Sequence, residues 1–135
     1  MEVNRLTIEE KAAAYHRQGF NCAQSVLCAC GEYTGLDEET ALAISGGFGG
    51  GLRCGEICGA VSGAVMAVGL CCRYSNAQDA ETKAKIAALS RYLTSCFRSE
   101  FGAVRCAEVI KDKSSCDRYI RYMAALAQKT IQEKL

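Results

Sequence analysis

The stretch "SGGFGGGLRCGEICGAVSGAVMAVGLCC", residues 45–72, decides the fold. Its first half is dense in glycine, and from Ile57 to Cys72 it carries no charge, with Glu56 and Arg73 as the flanks. That run of 16 residues falls short of the roughly 20 that a membrane span needs, so it reads as a buried core helix and no membrane partner is expected. Cys58, Val61, Val65, Val68 and Cys72 recur at alternating intervals of three and four, a helical stripe. A second ridge, Gly55, Gly59, Gly63 and Ala67, recurs every fourth residue and would let another backbone come very close. The pattern predicts a central Gly/Ala-rich helix over 55–72.

The glycines do not make a nucleotide loop. A phosphate loop places a lysine and a hydroxyl by G-x-x-x-x-G-K-[ST], and neither stands where it is needed. The dinucleotide pattern G-x-G-x-x-G fails because Gly49 and Gly51 are followed by Cys54 in the last place, with no strand before them. No nucleotide cofactor is expected. The run does deliver the chain to a helix start, where amide groups and the helix dipole favour an anion such as a thiolate.

Outward from this core, caps and periodicity give six or seven helices and no sustained strand alternation. Thr7 with Glu10 forms a capping box for a helix to about Gln18, stopped by Gly19. Asn21 with Gln24 opens a second, to about Tyr33, with Cys22, Val26, Ala29, Cys30 and Tyr33 as its apolar stripe. Asp37 caps a short third helix. Asn76 starts a long one to about Glu100, with Ile86, Leu89, Leu93, Cys96 and Phe97 on one face. A short helix begins near Arg105, and Ser114 with Asp117 opens the last, whose face is Cys116, Ile120, Met123 and Ala127. The expectation is an all-α bundle, one domain over 1–135, with the central helix enclosed by the second, the long and the last.

The 135 residues are half hydrophobic, enough for one real core. With 16 basic and 15 acidic residues, a net charge of +1, no basic stripe invites nucleic acid. The start, "MEVNRLTIEEK", has no apolar segment of a secretory signal, so a cytoplasmic location is expected. There, ten cysteines read as thiols, thiolates or metal ligands rather than a disulfide framework.

The cysteines sort by helix position. Cys22, Cys58, Cys106 and Cys116 fall in predicted first turns, where the dipole favours a thiolate, whereas Cys28, Cys30, Cys71, Cys72 and Cys96 fall in interiors or late turns and read as packing. Cys54 is ambiguous. A thiol near pKa 8.5 drops by one to several units at a suitable helix start, but the dipole alone is worth only about 0.3 to 1 kcal/mol, so a large shift needs a metal or another positive charge. No pair forms C-x-x-C, and cysteine is often buried without chemistry, so spacing alone leaves function and packing both open. Four thiolates at helix starts would repel one another, which a metal would offset.

At "FNCAQSV", "CGAVSGAVMAVGL" and "FGAVRCAEVI...SSCDRY" the chain resembles the bacterial redox-type family named for its C_GCAxxG_C_C cysteine pattern, a small all-helical family. The resemblance places the four family cysteines on Cys22, Cys58, Cys106 and Cys116, as redox groups or metal ligands, and completes the CGAxxG block with Gly59, Ala60 and Gly63. It implies Gly59 and Gly63 as cofactor-binding positions. The family is similar to a domain of the split-Soret cytochromes, for which an iron-sulfur site has been proposed. It implies redox or metal function, with an iron-sulfur cluster as first expectation, zinc as second, a redox partner, and a homodimer as an allowed assembly. Haem is not expected, since C-x-x-C-H is missing. The competing reading is a helical interaction or structural protein whose cysteines pack.

Other candidates are weaker. His16, the only histidine, reads as a cation at a helix C-terminus. Arg53 beside Cys54 reads first as an exposed loop arginine and second as a group that stabilises a thiolate or contacts an anion, and Glu56, two residues from Cys58, faces another direction on a helix. No Ser-His-Asp or Cys-His pairing points to hydrolysis.

Overall fold

The computed structural model describes residues 6–110 and 113–135, with the backbone alone for Lys113 and Ser114. Among these residues it forms eight helices and no strand: α1 (Ile8–Arg17), α2 (Cys22–Ala29), α3 (Gly31–Thr34), α4 (Glu38–Ser45), α5 (Gly59–Cys72), α6 (Ala80–Phe101), α7 (Cys106–Val109) and α8 (Lys113–Lys134). The expected all-α class holds. The helix count exceeds the expected six or seven because the second helix breaks at Cys30 (φ −89°, ψ 12°) and resumes as α3. No helix among the described residues is long and apolar enough to cross a membrane.

Three caps are as the sequence predicts. Both arms of the capping boxes at Thr7/Glu10 and Asn21/Gln24 are formed, and the Asp37 side chain accepts from the Thr40 amide. Two starts shift. The long helix begins at Ala80, not at Asn76: Asp79 accepts from the Thr82 amide and takes the cap, while the Asn76 carbonyl and side chain accept from the amides of Asp79 and Gln78 in the turn before it. The expected Ser114–Asp117 pair at the start of α8 lies outside the described residues.

The larger correction concerns the central helix, which begins at Gly59 rather than Gly55 and makes Cys58 its N-cap. The glycines ahead of it are used otherwise. Gly50, Gly51, Leu52 and Arg53 all have φ near +60°, a single left-handed turn, and Gly55 follows at φ +79°. The Glu56 amide closes the turn on the Gly51 carbonyl at 2.9 Å. Leu52 and Arg53 bear side chains in this region, at a cost of about 1 to 2 kcal/mol each. Arg53 recovers part of it by donating to the Gly46 carbonyl at 2.7 Å.

The core centres on α5, which packs against α2, α6 and α8 as the apolar pattern requires. Leu89, Leu93 and Phe97 of α6 and Ile120, Met123 and Ala127 of α8 are buried there. At one end Phe97, Phe101, Tyr119 and Tyr122 join α6 to α8 through edge and tilted ring contacts with centroids 4.7 to 5.4 Å apart. Tyr119 also donates its hydroxyl to the carbonyl of Val109, the last residue of α7. Each aromatic pair adds about 0.5 to 1.5 kcal/mol beyond area burial, so α7 is anchored to a rigid corner.

Candidate functional site

Cys22 is the first residue of α2, Cys58 caps α5, Cys106 is the first residue of α7 and Cys116 lies in the first turn of α8. Four separate elements thus present a thiol, and the structure brings the four together: the Cys22 thiol is hydrogen-bonded to Cys116, and Cys58 and Cys106 are near enough to act on it electrostatically. Cys58 in turn responds to Cys106 and Cys116, and Cys106 to Cys116.

Two devices make this convergence. The first is a short antiparallel bridge between Ile57 and Arg105. The Cys58 amide donates to the Val104 carbonyl at 2.9 Å, and the Cys106 amide donates to the Glu56 carbonyl at 2.6 Å. Each site cysteine therefore follows its bridged residue by one position and is fixed by its own backbone. Outside this bridge, Arg105 reaches Glu56 at 3.3 Å and Glu108 at 3.7 Å in exposed ion pairs. A Cβ added at Gly55 would stand 3.1 Å from Ala107 Cβ, so the left-handed turn also lies against α7.

The second device is the glycine pair of α5. A Cβ built on Gly59 would meet the Ala23 amide at 3.1 Å, the Phe48 carbonyl at 3.1 Å and Cys22 Cβ at 3.2 Å. One built on Gly63 would meet the Ala23 carbonyl at 2.7 Å and Val26 Cβ at 3.0 Å. Their open faces are thus filled by α2 and the loop at Phe48. The contribution of Gly59 and Gly63 that the packing shows is close approach, which sets Cys22 beside Cys58.

The electrostatics reverse the sequence expectation of lowered thiol pKa values. The hydrogen bond to Cys116 raises Cys22 most, followed by burial and the neighbouring thiols. Burial pushes Cys58 up to about 11, although the amides of Ala60 and Val61 at the start of α5 pull the other way. Burial and Cys116 raise Cys106. The dipole is real at Cys58, but desolvation and mutual repulsion of like charges outweigh it. Cys22, Cys58 and Cys106 therefore keep their protons at neutral pH.

The remaining candidates lie apart from this group. Cys54 is exposed on the left-handed turn with its sulfur 3.6 Å from the Gly51 carbonyl. His16 is in the last turn of α1, Arg53 is engaged with Gly46, and Glu56 faces Arg105 instead of a thiol. Cys28 and Cys30 are buried; Cys71, Cys72 and Cys96 are partly so. The Cys22–Cys116 contact joins elements far apart in the chain, and no local signal announces it. The same is true of Tyr119, whose bond to Val109 holds α7 against α8, and of the Ile57–Arg105 bridge.

The chemistry of the donor set fits a metal centre, since four sulfurs can supply Cys₄ ligation to zinc or to an iron-sulfur cluster. Among the described residues no group of three or more His, Cys, Asp or Glu side chains is placed to hold a metal ion.

Comparison with protein families places these cysteines in context: residues 20–130 match the family described as "Putative redox-active protein (C_GCAxxG_C_C)". The chain belongs to the C_GCAxxG_C_C family. No curated protein and no solved structure matches it.

Proposed function

We propose that this C_GCAxxG_C_C protein is a redox protein whose Cys22, Cys58, Cys106 and Cys116 form one thiolate centre that holds an iron-sulfur cluster. The observation that carries this reading is the gathering of four thiols from four elements into one place, where burial and neighbouring thiols raise Cys22, Cys58 and Cys106. A cysteine that only packs needs no such company. A site that repels its own thiolates is a site that favours a cationic guest, and a cluster accepts one thiolate per ligand position. When bound, the cluster supplies one-electron chemistry. The chain's own residues hold the ligands: α2 and α5 set Cys22 beside Cys58, and the Ile57–Arg105 bridge and Tyr119 fix Cys106 and Cys116.

A second reading rests on the Cys22–Cys116 hydrogen bond. In metal-free protein these two would be the pair that closes to a disulfide by exchange with a disulfide substrate, which is reduced to two thiols as they are oxidised. Anaerobic reconstitution with iron and sulfide, followed by metal and sulfide analysis and a visible spectrum, separates the two. A brown protein whose absorbance bleaches on reduction and is lost in Cys58→Ser supports the cluster. Stoichiometric zinc in colourless protein, or no metal at all with a mapped Cys22–Cys116 bridge, overturns it.

A further inference from the structure

A second pair of thiols stands outside the four-cysteine centre, at the other end of the same two helices. Helix α2 begins with Cys22 and is capped at its far end by Cys30, while α5 is capped by Cys58 and carries Cys71 in its last turn. At about 1.5 Å per helical residue, the eight steps from Cys22 to Cys30 and the thirteen from Cys58 to Cys71 remove this second pair by more than 10 Å along each axis.

The geometry there is specific. Cys30 is fully buried in the core, 0% exposed, and Cys71 packs against that core while keeping some access to solvent. The Cys71 thiol donates to the Tyr33 carbonyl at 3.5 Å. Tyr33 belongs to the turn that Cys30 opens, with its amide donating to the Cys30 carbonyl at 2.9 Å. The two thiols lie near enough that ionisation of Cys71 disfavours that of Cys30. The adjacent Cys72 lies within electrostatic reach of Lys85 of α6 as well as of Cys71. Arg73, in the left-handed cap of α5, lies within electrostatic reach of Cys71 and favours its thiolate, against burial and Cys72, which disfavour it. The groups facing the pair are thus Tyr33, Glu32, Cys72 and Arg73.

We propose that Cys30 and Cys71 are a second redox pair, a reversible dithiol that exchanges with small disulfides and, when oxidised, staples α2 to α5 at the end opposite the four-cysteine centre. The accessible Cys71 thiolate attacks one sulfur of the small disulfide; a Cys71–sulfur bond forms, the small S–S bond breaks, and one half leaves as a thiol after taking a proton. Cys30 then attacks the Cys71 sulfur, forming the Cys30–Cys71 bond and expelling the second half, which takes the Cys30 proton. Two protein thiols are oxidised and one small disulfide is reduced to two thiols, and excess thiol reverses both steps. Neither residue belongs to the family's cysteine pattern, and the pair does not depend on the four-cysteine centre holding metal.

The test is oxidation of the reduced full chain with oxidised glutathione as the small disulfide, trapping of remaining thiols by alkylation, and tandem mass spectrometry of the peptides spanning residues 18–53 and 54–73. The expected result is a bridge between these two peptides, loss of two alkylatable thiols and a higher melting temperature, all reversed by excess thiol. Because Cys22 and Cys58 lie on the same two peptides, the bridge must persist in Cys58→Ser and in Cys72→Ser and vanish in Cys71→Ser. Direct sequencing of the wild-type bridged peptide assigns the sulfurs without any variant. A bridge that survives Cys71→Ser, a Cys71–Cys72 linkage, or glutathione that stays on Cys71 without displacement by Cys30 overturns the proposal.

Discussion

Gly63→Ala tests whether the approach of α2 to α5 builds the site. The added methyl would sit 2.7 Å from the Ala23 carbonyl oxygen and 3.0 Å from Val26 Cβ, and neither atom can rotate away because both are fixed by α2 itself. Overpacking of this kind costs about 1 to 3 kcal/mol, and a rigid backbone neighbour puts this site at the upper end. Alanine returns about 1 kcal/mol of helix propensity, leaving a net loss of about 2 kcal/mol. Gly69→Ala, in the same helix, is the matched control: its methyl would meet only the flexible tip of Ile86 at 3.5 Å, an ordinary contact. It keeps the propensity gain and should stabilise by up to about 1 kcal/mol. The two variants should therefore melt roughly 10 °C apart, at a few degrees per kcal/mol for a chain of this size. Thermal unfolding of reduced, metal-free protein by circular dichroism measures this directly. Equal melting temperatures for the two variants would refute the packing argument, and with it the role assigned to the glycines in setting Cys22 beside Cys58.

Other outcomes follow from the same geometry. With reduced, metal-free protein at neutral pH, alkylation should label the exposed Cys54 well before Cys22 and Cys58, and mass spectrometry of a time course checks the order. Leu52→Gly should stabilise by about 0.5 to 1 kcal/mol, since it relieves a left-handed residue at less than the strain's full 1 to 2 kcal/mol because glycine adds freedom to the unfolded chain; a urea midpoint reads it. Stability should fall at alkaline pH. Burial raises Cys58 to about 11 and Cys30 to about 12 from 9.0. The folded state therefore holds protons that the unfolded chain releases, and the stabilisation present below about pH 9 is lost as pH rises toward 12. Cys30→Ala should reduce the loss between neutral and alkaline urea midpoints by about 1 to 2 kcal/mol; an unchanged slope would count against a buried neutral thiol there. Arg105→Ala should change stability by less than about 1 kcal/mol, because its ion pairs with Glu56 and Glu108 are exposed to solvent.

Local signals carried much of the fold into the sequence. Thr7, Asn21 and Asp37 are legible as caps because the bond each makes is to an amide three residues on. The buried faces of α6 and α8 are legible because helical periodicity is fixed by backbone geometry. The start of α5 was not, because Gly55 continues the four-residue ridge of Gly59 and Gly63 while its own backbone, at φ +79°, belongs to the left-handed turn. The grouping of Cys22, Cys58, Cys106 and Cys116 was visible as shared helix-start position, but the reason they meet was not. It depends on Ala23 against Gly63, Ile57 against Arg105 and Tyr119 against Val109, contacts that join distant segments. The raised thiol pKa values were hidden for the same reason: a dipole can be read from one helix, whereas desolvation needs the neighbours.

The Ile57–Arg105 bridge sets a timetable for the site. Arg105 and Glu56, the residue before Ile57, are 49 positions apart, and closing so long a loop is entropically uphill until the packing it permits is in place. Helices α2 and α5, which hold Cys22 beside Cys58, both precede α7 and α8 in the chain. Cys106 and Cys116 join only after the last third of the chain has been made and Tyr119 has docked α7. Any chemistry that needs all four sulfurs therefore has to wait for a nearly complete fold.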